Sequence, residues 1–325
     1  MKTQNIFNAS LNFQQGLRIE SQLETRQLCS GQDHAAFGSY EEGNVITHWA
    51  ASFDGHGNNH AIETIRRANL SEIMQGETPW KDLETRIHSD TSAMHHVKQK
   101  SGSTMVFTKV KILPSHIEVS IYNIGDSSGV LFLNHEPVFV TKPHTLENGG
   151  ELARLVKENR IDLNDLYSVK GSNFEIISPT MITSIKGRYT WIHSQDGKRY
   201  EMSMTQSLGH NGITGLEPSI TTFYCSRSTN IRVCLCSDGV TDVMPVNELA
   251  NGSTFSFMQS TTTALLDEAE RRWKQEWTVY SGTDTRILRK SRFPVDGYDD
   301  CCCAMISVCP TTDDENIEVD EHADR

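Results

Sequence analysis

Apolar and polar positions follow two rhythms along this chain. The apolar run Ile46 to Phe53 is short enough for a buried strand, and Asp54-Gly55-His56-Gly57 stops it. Beyond it, Ile62, Ile65, Ala68 and Ile73 recur at helical spacing over residues 58–75. Leu83, Ile87, Met94 and Val97 mark a second helix over 80–99. The rhythm then changes to period two: Thr104, Val106, Thr108 and Val110 alternate with Met105, Phe107, Lys109 and Lys111. Ile117, Val119 and Ile121 repeat it, and 130–133 and 138–141 add two short strands. Connections this short join antiparallel neighbours. A helix is expected over 148–158, a buried strand over 231–237, a helix over 262–277 and a last strand over 302–308. Residues 159–199, rich in Gly, Ser, Asn and Lys, carry no such rhythm and read as an irregular insertion with room for one hairpin.

Helices paired early and late around runs of strands predict an α+β layered sandwich. One domain is expected over residues 21–310, after a polar N-terminal extension or edge strand over 1–20. The stretch 311–325 holds seven acids and one Arg and almost no apolar residues, so an acidic disordered tail is expected there.

Composition narrows the function classes. The net charge of -12, without a basic patch, argues against nucleic acid as a partner. No run approaches the roughly 18–20 apolar residues of a membrane span, and residues 1–15 lack the apolar core of a secretory signal. The eight cysteines include no Cys-x-x-Cys pair, which fits buried free thiols better than a structural zinc site. An intracellular, cytoplasmic protein without a membrane partner is expected, with a nuclear location left open.

Candidate chemistry gathers at strand ends. Asp54, Asp238, and Asp299 or Asp300 each stand at the mouth of an apolar strand, and Asp33 begins a fourth such segment. Acids from remote positions converging in this way suit hard divalent cations, which prefer carboxylate oxygen. The Gly55 carbonyl can approach a metal unobstructed, and His56 beside it is placed to exchange a proton. Asp126 is read as a strand-end hydrogen bonder rather than a ligand.

These segments fall in an order that resembles the metal-dependent Ser/Thr protein phosphatases, the protein phosphatase 2C (PPM) family, over roughly residues 25–309. The motifs carrying the resemblance are Phe53-Asp54-Gly55-His56-Gly57, Ser101-Gly102-Ser103-Thr104, Asn123-Ile124-Gly125-Asp126-Ser127, Glu151-x-x-Arg154, Leu208-Gly209, Ser237-Asp238-Gly239-Val240-Thr241-Asp242-Val243 and Asp299-Asp300. The resemblance implies a four-layer sandwich, two antiparallel β-sheets flanked by α-helix pairs, with two Mg2+ or Mn2+ ions at one end. It also implies roles. Asp54 bridges the ions, Asp238 and Asp299 hold one, Asp33 and the Gly55 carbonyl help hold the other, and a metal-activated bridging water attacks phosphorus. His56 protonates the departing Ser or Thr oxygen.

Departures from the family pattern are local. Leu28 stands where relatives carry a phosphate-clamping Arg, which leaves Arg26 as the nearest candidate. Pro143 replaces the acid of an Asp-His pair and His210 replaces the acid after Leu208-Gly209, which favours two ions over three. The expected function is hydrolysis of phosphoserine and phosphothreonine in a phosphoprotein substrate by a monomer. The alternatives are a catalytically impaired pseudophosphatase scaffold and a metal-dependent phosphodiesterase.

Overall fold

The computed structural model describes residues 6–14, 16–90, 94–158, 167–168, 174–184, 189–195, 198–251, 260–280 and 287–311. Strands β1 (Ile6–Gln14), β2 (Leu17–Arg26), β3 (Asp33–Glu42) and β4 (Val45–His56) lead into helices α1 (His60–Arg67), α2 (Leu70–Ile73), α3 (Pro79–Ser89) and α4 (His95–Gln99). Then come β5 (Gly102–Ser103), β6 (Met105–Ile112), β7 (Ile117–Ile124), β8 (Ser128–Leu133), β9 (Glu136–Val140) and α5 (Gly149–Lys157). The next strands are β10 (Tyr167–Ser168), β11 (Phe174–Ser178), β12 (Met181–Ser184), β13 (Tyr189–Gln195), β14 (Lys198–Met202), β15 (Leu208–Gly209), β16 (Ser219–Cys225) and β17 (Ile231–Cys236). Last are α6 (Asp238–Thr241), α7 (Val246–Asn251), α8 (Thr262–Lys274), β18 (Trp277–Tyr280), β19 (Ile287–Ser291) and β20 (Cys301–Pro310).

Two sheets face each other. One has the order β1-β2-β20-β17-β8-β9; the other runs β15-β5-β4-β6-β7-β16, with β3 also paired to β4. Their shared interior holds Leu17, Ile19, Ala50, Val106, Val119, Leu131, Val233, Ala304 and Ile306. Alternate residues of the same strands point outward. Trp49, Ala51 and Phe53 of β4 pack on Ile62, Ile65, Leu83 and Ile87 of α1 and α3. Cys234, Cys236, Cys301 and Cys303 pack with Leu265, Leu266, Ala269 and Trp273 of α8. Each central strand is buried on both faces, which is why β4, β17 and β20 read as unbroken apolar runs rather than as alternation. The result is helix, sheet, sheet, helix: the α+β four-layer sandwich that the motifs imply.

Of the two readings of the N-terminal residues, the edge strand holds over 6–14: β1 pairs with β2 along its whole length and forms a sheet edge. The region 159–199 holds more than the one hairpin allowed for it. Its β11–β12 hairpin pairs through β12 with β18, which pairs in turn with β19 to make a four-stranded sheet, and its β13 pairs with β14. Short strands covered by one face of a later hairpin need little periodicity of their own, and Ile182 beside Trp277 and Val279 supplies the apolar contact. The acidic stretch 312–325 lies outside the described residues. Among the described residues, no helix is long and apolar enough to cross a membrane.

Candidate active site

β3 and β4 pair so that Asp33 lies directly across from Asp54. Gly55 N then donates to Gln32 O at 3.0 Å, which fixes the turn after β4 against the start of β3. From the other sheet, β17 ends one residue before Ser237, and Asp238 opens α6. Gly239 sits so close to the Asp299-Asp300 segment that a Cβ there would lie 1.9 Å from Asp300 O. Only glycine allows that approach, and it brings the β17 and β20 ends together. Asp126 arrives from the turn after β7.

Asp54, Asp126 and Asp238 each offer a carboxylate oxygen, all within 4.8 Å of one another. Asp33 and Asp299 feel the same cluster. Burial, opposed by a hydrogen bond with Ser237 and reinforced by Asp300 and Asp238, pushes Asp33 up to about 8. Burial, then Asp238 and Asp33, pushes Asp299 up to about 9. Asp54 is held well above the usual carboxylate range by burial and by Asp238 and Asp33. Among the described residues, no Lys or Arg forms an ion pair with Asp33, Asp54, Asp238 or Asp299. Asp33 Oδ2 is also buried without a hydrogen-bond partner. Converging acids, an orphaned carboxylate oxygen and no internal cation fit hard divalent metals.

The choice between the two late acids follows from hydrogen bonds. Asp300 accepts from Cys29 N at 2.8 Å, Ser30 Oγ at 2.6 Å and Gln32 N at 2.8 Å. Both its oxygens are thus committed to shaping the 29–32 turn. Asp299 remains the acid that faces Asp238 and Asp33. Asp126, which the sequence suggests is only a hydrogen bonder, belongs to the carboxylate cluster. Its signal was an acid beside a glycine at the end of an apolar strand, as at Asp54, though in the reverse order.

Arg26 departs from expectation and is corrected here. It points from the outer face of β2 into the α8 layer, where Glu24, Asp267 at 2.7 Å and Glu270 at 3.6 Å hold its guanidinium. Three carboxylates already surround the fork that a phosphate clamp would need. Arg66 of α1 instead braces the turn beside the cluster, donating to Gly31 O at 2.7 Å and Asp33 O at 2.8 Å.

His56 ends β4, two residues beyond Asp54. Its Nε2 lies 2.7 Å from Nε2 of His210, a contact that the sequence did not signal. Burial and the neighbouring His210 hold the His56 imidazole well below the usual histidine range.

The protein phosphatase 2C family model matches residues 11–163. Comparison with curated proteins gives no match. Among solved structures, the chain is similar to serine-threonine phosphatase 2C from Toxoplasma gondii, with 11% identity and a TM-score of 0.55, covering 94% of this chain and 99% of that one. The S. agalactiae serine/threonine phosphatase is similar at 17% identity and a TM-score of 0.47, covering 93% and 99%. A C. elegans sex determining protein aligns at 16% identity and a TM-score of 0.47, covering 91% of this chain and 66% of that one. The Toxoplasma likeness is one of fold. Family motifs, a family model that matches residues 11–163 and that fold agree: over its N-terminal half the chain is similar to protein phosphatase 2C, and its fold is that of a protein phosphatase 2C.

Proposed function

We propose that this chain is a working protein Ser/Thr phosphatase that hydrolyses phosphoserine and phosphothreonine. One observation carries the reading: Asp33, Asp54, Asp238 and Asp299 meet beside Asp126 at one end of the sandwich, and among the described residues no Lys or Arg forms an ion pair with those four. Asp54, Asp238 and Asp299 would hold one Mg2+ or Mn2+, and Asp33, Asp54 and the Gly55 carbonyl would hold the other. When bound, the two ions supply Lewis acidity toward phosphoryl oxygen and a nucleophilic water at neutral pH.

The chain's own residues do the rest. Asp300 shapes the 29–32 turn and Arg66 braces it, so Asp33 faces the cluster in one orientation. His56 holds the proton for the departing alkoxide, the poorer of the possible leaving groups. Turnover of a phosphothreonine peptide with Mn2+, abolished by chelator, is the expected result. His56→Ala should slow that peptide by about 10²–10⁴-fold and an aryl phosphate far less, because a phenolate leaves with little protonation. Equal losses on both substrates would show that His56 orients rather than protonates.

The second reading is a catalytically impaired scaffold, favoured by the engagement of Arg26 away from the cluster. A wild-type chain that binds Mn2+ but never turns over the peptide would establish it.

A further inference from the structure

The Leu208-Gly209-His210 segment takes a conformation that a chain rarely adopts. Gly209, His210, Asn211 and Gly212 all have positive φ, at 84°, 53°, 51° and 74°. Two of the four are not glycine, and left-handed backbone is costly for such residues. The surroundings hold it in place. Glu84 of α3 accepts from Gly209 N at 2.6 Å, and His210 N donates to Ser101 O at 2.8 Å.

This strain delivers the His210 ring to His56. The three short segments form a ladder in which Gly209 pairs with Gly102 and Gly102 pairs with His56. The middle rung has no side chain, so the two imidazoles meet across it. A Cβ at 102 would lie 2.3 Å from His210 Nε2 and 2.6 Å from His56 Nε2. The rings are stacked, with centroids 4.8 Å apart and planes inclined by 26°. His210 is 3% exposed. A hydrogen bond between two Nε2 atoms needs a proton on one and a lone pair on the other, so the contact holds one proton.

We propose that His210 is a positioning residue for His56, holding the donor ring in place until the leaving oxygen of the substrate takes over that hydrogen bond. The proposal rests on the phosphatase reading above. His210 does not touch substrate; it acts through His56. Without it, the His56 ring is free to turn and presents its proton in the productive orientation less often. The loss therefore falls on substrates whose leaving group needs protonation.

The test uses the full chain, as wild type, His210→Ala and His210→Gln, with Mn2+. Steady-state rates are measured on a phosphothreonine peptide and on an aryl phosphate, and imidazole proton–nitrogen spectra are recorded without substrate. His210→Ala should lower kcat on the peptide by about 10- to 100-fold, part of the full general-acid contribution, with little change in KM. The loss on the aryl phosphate should be at least about tenfold smaller. His210→Gln, whose amide can occupy the same hydrogen bond, should recover part of the lost rate. The His56 ring signals, assigned by their disappearance in His56→Ala, should move in His210→Ala. Peptide turnover equal to wild type, equal losses on both substrates, or unmoved His56 signals would each overturn the proposal. A wild type inactive on both substrates would sink the phosphatase reading instead. The spectra would then decide the pairing alone: moved signals uphold it and unmoved signals overturn it.

Discussion

On the α8 side of the sandwich, acids share arginines; at the sandwich end, Asp33, Asp54, Asp238 and Asp299 form no ion pair with a Lys or Arg among the described residues. Arg272 is fully buried and bonds Glu248 through both terminal nitrogens at 2.9 and 2.5 Å, and Glu268 through Nε at 2.8 Å. Arg26 serves Glu24, Asp267 and Glu270 in the same layer. Burial pushes Glu268 up, yet its bonds with Arg271 and Arg272 outweigh that and leave it below its ordinary range. In the Asp54 cluster every resolved shift runs upward, and neighbouring acids add to the effect of burial. The first region pairs its acids with its own arginines, although Glu24 Oε2 and Arg26 Nε are buried without a hydrogen bond. The second is a set of charges whose neutralisation has been left to something from outside.

Paired variants should separate the two regions, and this is the largest expected effect. Asp54→Asn should cut phosphopeptide turnover by about 10³-fold or more, since several kcal/mol of transition-state stabilisation leave with the ions. It should cost the metal-free fold nothing, because it removes a carboxylate that burial and its neighbours disfavour. Arg272→Ala should do the reverse, destabilising the fold by about 3–5 kcal/mol by stranding Glu248 and Glu268. Urea unfolding in chelator, beside turnover of the folded fraction, checks both. Comparable destabilisation by the two variants would erase the distinction.

Metal addition sharpens the comparison further. Mn2+ at about 100 times its dissociation constant should stabilise wild type by about 2.7 kcal/mol, and Asp54→Asn much less. Arg272→Ala, weakened elsewhere, should gain as much as wild type. The pH dependence has a definite sign. Asp33 and Asp299 sit at about 8 and about 9 when folded without metal, above their ordinary 3.8. The metal-free fold is thus favoured below about pH 4 and loses that advantage as pH rises through 8 to 9. Mn2+ should therefore raise the melting temperature more at pH 8.5 than at pH 6. A shift that shrinks with rising pH would show that those acids do not take part in binding.

How much of this could be read from the residues depended on whether the signal was local. Asp54, Gly55 and His56 follow an apolar run and sit in a glycine-bounded turn, so strand, stop and chemistry are adjacent. The same holds for Asp238. Asp299 and Asp300 are consecutive, and only the hydrogen bonds that Asp300 accepts from the 29–32 turn tell them apart. Arg26 was near the right place in the sequence but on the wrong face of β2. Strand phase there is set by whether Thr25 or Arg26 faces the other sheet, which polar residues do not announce. His210 was the least legible, because its position depends on a left-handed turn and on Gly102, about a hundred residues away.

Glu84 falls between the two regions, and the smallest expected effect is there. Its partners are neither an arginine nor other acids. One oxygen accepts from Gly209 N at 2.6 Å, and the other lies 3.0 Å from His88 Nε2. Burial, opposed by the Gly209 amide, raises Glu84 from 4.5 to about 7. Burial and Lys98 lower His88. Both groups move toward neutrality. The folded value lies above the unfolded one, so this stabilisation is complete below pH 4.5 and lost as pH rises through 7. Glu84→Gln keeps an acceptor for the Gly209 amide but cannot ionise. Between pH 5 and pH 8 the wild type should therefore lose about 1–2 kcal/mol relative to the variant, less than the full shift implies because the side chain reaches solvent. Urea midpoints of both proteins in chelator at the two pH values measure the difference. A difference that stays flat would mean that the Glu84 carboxylate is compensated as fully as Glu268, and would move α3 to the arginine-paired side of the comparison.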